Sequence, residues 1–283
     1  MINVSTYNEL EEYFEAFGSK DLNFLVIVSR GGLGKTYTAK HITSKHDPLY
    51  LSGHLTPLEF YKRLMKRNRR EDDFLFVLDD IDSFIDNKMN TALLKQVADT
   101  KENKTIKYYT SSPRLDEDED TFTTRCKSLI LMNKTPRTSS NKDLAAIMDR
   151  ALVVKFTPTN EEIMNRIKSF AKDQEIVKFL EREHRSADNL SLRTYVKAKE
   201  IKEAGLDWKN VLAQELTIPE KFIEMIDLFE DDDLASDKER IKEFSGSRRT
   251  YYRTKKDFLE KYPKYKKIKN YETIKKNNNR KKS

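Results

Sequence analysis

The stretch Ser29-Arg30-Gly31-Gly32-Leu33-Gly34-Lys35-Thr36 is the first place where this 283-residue sequence offers chemistry. It follows the apolar run Phe24-Leu25-Val26-Ile27-Val28 and matches the phosphate-loop pattern G-x-x-x-x-G-K-[ST], except that Ser29 stands where the first glycine belongs. Gly31, Gly32 and Gly34 leave the backbone unhindered, so its N–H groups can point inward around phosphate oxygens. A helix starting at Gly34 would present its positive end to the same anion. The candidate nucleotide-binding residues are therefore Gly31, Gly32, Leu33, Gly34, Lys35, Thr36 and Tyr37. Lys35 would sit between the β- and γ-phosphates, and the Thr36 hydroxyl would ligand Mg²⁺. A glycine-rich turn that merely contains a lysine is the bland alternative. The order strand, loop, helix favours the phosphate site.

A second candidate is Asp79-Asp80, directly after the apolar residues 74–78. Open α/β sheets bind ligands at the carboxyl ends of their strands, so these acids should face the phosphate loop. Asp79 would hold the Mg²⁺ as a hard oxygen ligand, and Asp80 would orient and deprotonate an attacking water. Asp82 and Asp86 lie nearby, so an acidic loop without a role is the competing reading.

Positioning these groups requires a particular scaffold. Residues 24–28, 74–78 and 129–132 are apolar runs bounded by polar positions, as strands buried on both faces are. Short strands at 49–51 and 152–156, with helices near 34–46, 58–66, 88–97 and 143–149, complete an alternation that predicts a three-layer α/β fold with a parallel sheet. Residues 105–127 read as a β-hairpin around the acidic tip Asp116-Glu117-Asp118-Glu119-Asp120. Leu10, Tyr13, Phe14 and Phe17 mark an amphipathic lead-in over 1–20, and the α/β core spans 21–157. From Pro158 onward only helical spacing remains, which predicts a small helical domain over 158–216. An acidic helical or hinge segment, 217–246, then leads to a flexible basic tail, 247–283.

In this order the motifs resemble those of an AAA+ ATPase, a P-loop NTPase, over roughly residues 20–215. The resemblance implies ATP and Mg²⁺ as ligands and ATP hydrolysis as the activity. It also gives expected roles to three more residues. Asn133, ending the 129–132 strand, resembles the sensor-1 residue and would position the lytic water. Arg150, between a short helix and the 152–156 strand, resembles an arginine finger reaching a neighbouring subunit in a ring or filament; Arg125 and Arg137 are reserves for that role. Ser191-Leu192-Arg193 resembles the sensor-2 motif, with Arg193 on the γ-phosphate. Each has a plainer alternative: Asn133 as a turn cap, Arg150 paired with Asp149, Arg193 as a solvated helix residue. Most relatives would have glutamate where Asp80 stands. The Asp-Asp form, the hairpin and Met148-Asp149-Arg150 are also similar to viral superfamily 3 helicases, a subordinate reading because the helical segment with Ser191-Leu192-Arg193 resembles an AAA+ helical lid.

The charge is unevenly distributed. Residues 247–283 hold 15 Lys/Arg against three acids, a net of +12, while the remainder carries 39 basic and 44 acidic residues, a net of −5. Tyr251, Tyr252, Phe258, Tyr262, Tyr265 and Tyr271 are interleaved with the cations. Cations neutralise phosphates and tyrosines stack on unpaired bases, so DNA is the expected partner of the tail; a solubilising tail is the alternative. Lys107, Tyr108 and Tyr109 are candidates for a central pore, whereas the acidic tip favours a protein contact. No apolar run approaches the ~20 residues that cross a bilayer, so no membrane partner is expected. Met1-Ile2-Asn3-Val4-Ser5 does not look like a signal peptide, and Cys126 is the single cysteine. A cytoplasmic oligomeric ATPase of a phage or mobile element, acting on DNA as a helicase loader, replication or transposition ATPase or helicase, is the expectation. An ATP-gated binding module that hydrolyses slowly or not at all is the second, and a protein-remodelling machine the third.

Overall fold

Apolar runs too short for a buried helix become strands here, and segments whose apolar residues recur at helical spacing become the layers around them. The computed structural model describes residues 1–266 except 81, 86, 111–114, 116–118, 136–141, 185, 186 and 188. The chain divides into two units, Met1–Arg166 and Ile167–Ser283.

The first unit begins with β1 (Ile2–Val4), α1 (Tyr7–Gly18), β2 (Phe24–Val28) and α2 (Lys35–Thr43). It continues through β3 (Leu49–Ser52), α3 (Pro57–Asn68), β4 (Leu75–Asp79), α4 (Asp82–Ile85) and α5 (Lys88–Val97). A hairpin, β5 (Lys104–Lys107) and β6 (Thr121–Thr124), precedes β7 (Lys127–Met132), α6 (Lys142–Arg150) and β8 (Leu152–Phe156). Six strands form one sheet in the order β1-β8-β2-β7-β4-β3, and every pair is parallel. The α/β class read from the sequence is the class observed.

All five residues of β2 are buried, because helices cover both faces of a parallel sheet. Phe24, Val26 and Val28 join the core with Phe60, Phe76, Leu94 and Ile130. By alternation Leu25 and Ile27 face the opposite layer, the side on which Tyr7 of α1 meets Phe156 of β8 edge-on at 5.1 Å. The lead-in is thus not separate from the sheet: Ile2↔Val154 and Val4↔Phe156 are in register, and β1 is its edge. Three residues give too short a pattern to read as a strand alone.

The hairpin is antiparallel and forms its own two-stranded sheet. Tyr61 of α3 fastens it, stacking on Tyr108 at 5.4 Å, touching Phe122 at 5.3 Å, and donating its hydroxyl to the Glu119 carbonyl at 2.7 Å. Tyr108 is therefore engaged, while Tyr109 is 68% exposed. Residues 116–118 of the acidic tip lie outside the described residues.

α7 (Asn160–Phe170) spans the division between the units, and the second unit is helical: α8 (Gln174–Glu183), α9 (Leu192–Glu203), α10 (Trp208–Glu215), α11 (Glu220–Glu230), α12 (Asp237–Glu243) and α13 (Arg248–Lys261). The tail expected to be flexible from 247 is a 14-residue helix over Arg248–Lys261. Its Tyr251 and Phe258, with the following Tyr262 and Tyr265, are buried against Met225, Ile226 and Phe229 of α11. Four of the aromatics read as base-stacking groups are core residues. Residues 267–283, including Tyr271, lie outside the described residues. No described helix is long and apolar enough to cross a membrane.

Candidate functional site

The loop leaving β2 is held to the neighbouring strand at once: the Ser29 amide donates to the Met132 carbonyl at the end of β7, at 3.1 Å. Gly32 and Gly34 then take φ of 81° and 79°, the left-handed region that a β-carbon resists. Leu33 between them is 1% exposed and anchors the loop in the core. α2 starts at Lys35 with Gly34 as its cap, so the amides of the first turn face the loop. Ser29 is 4% exposed and is not among the positive-φ residues. The leading position therefore accepts a β-carbon, which is the physical reason serine can stand there.

Lys35 is 6% exposed. Its Nζ folds back over the loop and donates to the carbonyls of Ser29 at 2.7 Å and Arg30 at 3.2 Å, and to Asn133 Oδ1 at 3.2 Å. Asn133 turns its amide nitrogen the other way, donating to Asp80 Oδ1 at 3.3 Å. A chain of contacts thus runs from the phosphate-loop lysine through the residue after β7 to the acid after β4.

The sheet order explains this convergence. β7 lies between β2 and β4, and all three are parallel, so their carboxyl ends share one edge. Adjacent strands lie ~4.8 Å apart, which sets the ends of β2 and β4 about 10 Å from each other. Asp79 ends β4, in register with Ser52 and Leu131, and is half-buried. Its charge and, before it, burial raise the pKa of the Tyr50 phenol, which contacts Thr43 Oγ1 at 2.8 Å. Asp80 is exposed with φ of 57°, a left-handed conformation that aspartate tolerates better than most residues. That strain was not legible in the sequence.

Thr36 is half-buried in the first turn of α2. Tyr37 is 70% exposed and lies parallel to His41, with ring centroids 6.2 Å apart. The donor set of this edge is an ammonium, helix-start amides, a hydroxyl and two carboxylates, which suits a magnesium-bound triphosphate. Among the described residues no group of three or more His, Cys, Asp or Glu could hold a metal. Thr36 and Asp79 would hold Mg²⁺ in the way that ion prefers, by few protein oxygens with phosphate and water supplying the rest.

Two other candidates of the first unit, Arg150 and Arg125, lie away from this edge. Arg150 ends α6, next to the amino end of β8, so it sits at the opposite edge of the sheet from Val28. It is exposed and donates to the Lys95 carbonyl at 3.1 Å. Arg125 is engaged by Asp72, with Nη2 3.1 Å from Oδ1, and that bond raises its pKa and lowers that of Asp72. Arg137 lies outside the described residues, as does Asp86. Arg193 is exposed on the first turn of α9 in the second unit, where Ser191 and Thr194 cap the helix.

No protein-family model matches the sequence, and no curated protein matches it. Solved structures do. The chain is similar to the Orc1 protein of Aeropyrum pernix in complex with DNA, at 15% identity over 80% of this chain and 72% of that one, with a TM-score of 0.47. It is also similar to the RuvB Holliday junction branch migration motor of Thermotoga maritima, at 13% identity over 80% and 79%, with a TM-score of 0.44. The parallel sheet, the glycine loop and the carboxylates at the shared strand edge are this chain's own features.

Proposed function

We propose that the protein is a Mg²⁺-dependent AAA+-type ATPase that works as an oligomer on DNA. The observation that carries the reading is the contact chain Lys35–Asn133–Asp80 at the edge shared by β2, β7 and β4. The amides from Gly31 to Tyr37 and the Lys35 ammonium would grip the β- and γ-phosphates. Thr36 and Asp79 would hold the metal, whose chemistry is to neutralise phosphate charge. Asp80, aimed by Asn133, would take a proton from the water that attacks the γ-phosphorus, as the bond to the ADP oxygen breaks. Arg150 would complete the site of an adjacent subunit.

Lys35→Ala should abolish ATP binding in a titration with a fluorescent ATP analogue; retained affinity would overturn the assignment. Wild-type phosphate release should need Mg²⁺ and rise when DNA is added. The short Asp80 side chain, held in a left-handed backbone, favours one second reading: an ATP-gated binding module with slow turnover. Turnover that no nucleic acid stimulates would select it.

A further inference from the structure

The end of the second unit has an architecture of its own. Ser236 caps α12, with Glu239 returning a bond to the Ser236 amide at 2.7 Å. α12 stops at Phe244, whose ψ of 129° is extended, and Ser247 caps α13 through the Thr250 amide at 3.2 Å. Between the helices lie four residues, Phe244-Ser245-Gly246-Ser247. A β-carbon on Gly246 would lie 2.7 Å from the ring of Phe244, which is buried, so this turn calls for glycine. Ser245 Oγ donates to Glu224 of α11 at 2.9 Å and fixes the turn. Asp237 of α12 accepts from Tyr251 of α13 at 3.0 Å and also from Lys255. Phe244 meets Tyr251 edge-on at 5.4 Å, and Arg240 lies 4.5 Å above the Phe229 ring of α11. Two helices joined by a short glycine turn and braced on a third have the connectivity of a helix-turn-helix.

The face that α13 leaves open is cationic over its amino-terminal turns, with Asp257 and Glu260 exposed farther along. Tyr251, Thr254, Lys255 and Phe258 are buried, whereas Arg248, Arg249, Tyr252, Arg253 and Lys256 are exposed. Positions 249, 252, 253 and 256 share one stripe at helical spacing. Arg248, Arg249, Arg253 and Lys256 have no carboxylate within ion-pair distance among the described residues, and Arg248 lies over the Tyr252 ring at 5.9 Å. The first turn has no acid, so two arginines oppose the positive end of the helix, an unfavourable arrangement unless an anion joins it. A helix fits the major groove, and the N-terminal residues of a recognition helix face base edges there. A single strand would instead want aromatic platforms, and the aromatics of this helix other than Tyr252 are buried.

We propose that α12, its turn and α13 dock on duplex DNA, with Arg249 and Arg253 reading bases in the major groove and Arg248 and Lys256 on phosphates. This deepens the DNA part of the reading above and is independent of its ATP part. The test uses the full chain without nucleotide, a random duplex pool for sequence selection, and anisotropy with labelled duplex and matched single strand. Wild type should enrich a sequence and bind its duplex at least tenfold more tightly than the single strand. Arg249→Ala with Arg253→Ala should lose the enrichment and weaken duplex binding at least tenfold. Arg249→Lys with Arg253→Lys, which keeps charge and removes the bidentate fork, should keep the salt dependence and still lose selection. Lys35→Ala should select and bind DNA as wild type does, which separates this result from failure of the ATP reading. A wild-type protein that enriches no sequence, one that prefers the single strand, or arginine variants that still select would each overturn the proposal.

Discussion

At the scale of single residues, Asp80 and Asn133 make the sharpest predictions. Asn133 holds Lys35 on one side and Asp80 on the other. Asn133→Ala should therefore misplace the acid and leave the phosphate grip in place. Losing one positioned polar group at a reacting centre costs ~10²–10³ in rate, so phosphate release should fall by that order while ATP affinity moves only a few-fold. Equal losses in both would mean that Asn133 serves binding instead. Asp80→Gly offers a complementary check. The φ of 57° suits glycine better, so the melting temperature should hold or rise while hydrolysis is lost; a clear drop in melting temperature would show that the carboxylate stabilises the fold. Residue types were readable here because phosphate and metal chemistry restrict them. The contact through Asn133 and the sign of φ at Asp80 were not, since both arise when β7 inserts between β2 and β4.

Among the elements, the strands at the sheet centre were legible because burial on both faces leaves unbroken apolar runs. β1 was not, because Ile2-Asn3-Val4 becomes a strand only by pairing with β8. α13 was misread for a different reason. Lysines and tyrosines interleave alike in a disordered tail and in an amphipathic helix, but Tyr251, Lys255, Phe258 and Tyr262 recur at helical spacing, and that was the available signal. Lys255 is buried among the rings of Phe229 and Tyr251 with Asp237 as its carboxylate. Burial alone would raise the Asp237 pKa, and the bond and charge of Lys255, with the Tyr251 bond, outweigh it and hold the carboxyl below its ordinary value. A depressed carboxyl stabilises the fold above the unfolded value of ~4 and stops doing so as pH falls through the folded value. Asp237→Asn should cost about 2–3 kcal/mol at neutral pH, less than a fully buried pair would, and should flatten the acid limb of the stability curve. Denaturant melts between pH 3 and 7 would measure both, and parallel curves for variant and wild type would refute the pairing.

For the molecule as a whole, the position of Arg150 sets a requirement that one chain cannot meet. The arginine lies at the amino edge of the sheet, and the five residues of β8 set it ~16 Å or more from the carboxyl edge where the phosphate loop sits. If it serves catalysis, it must do so across a head-to-tail interface, the kind that closes rings or extends filaments. Light scattering in ATP should then give a multiple of 33.4 kDa. Arg150→Ala should keep ATP binding and lose about a thousandfold or more in turnover, the scale of a missing finger. Lys35→Ala should be equally inactive for lack of nucleotide. In an equal mixture, half the subunits keep an intact phosphate loop, and half of those have a neighbour with Arg150, so about one site in four is complete and turnover should recover toward a quarter of wild type. If the mixture stays as inactive as its parts while the assembly still forms, Arg150 is a surface residue held by the Lys95 carbonyl, and the interface does not build the site.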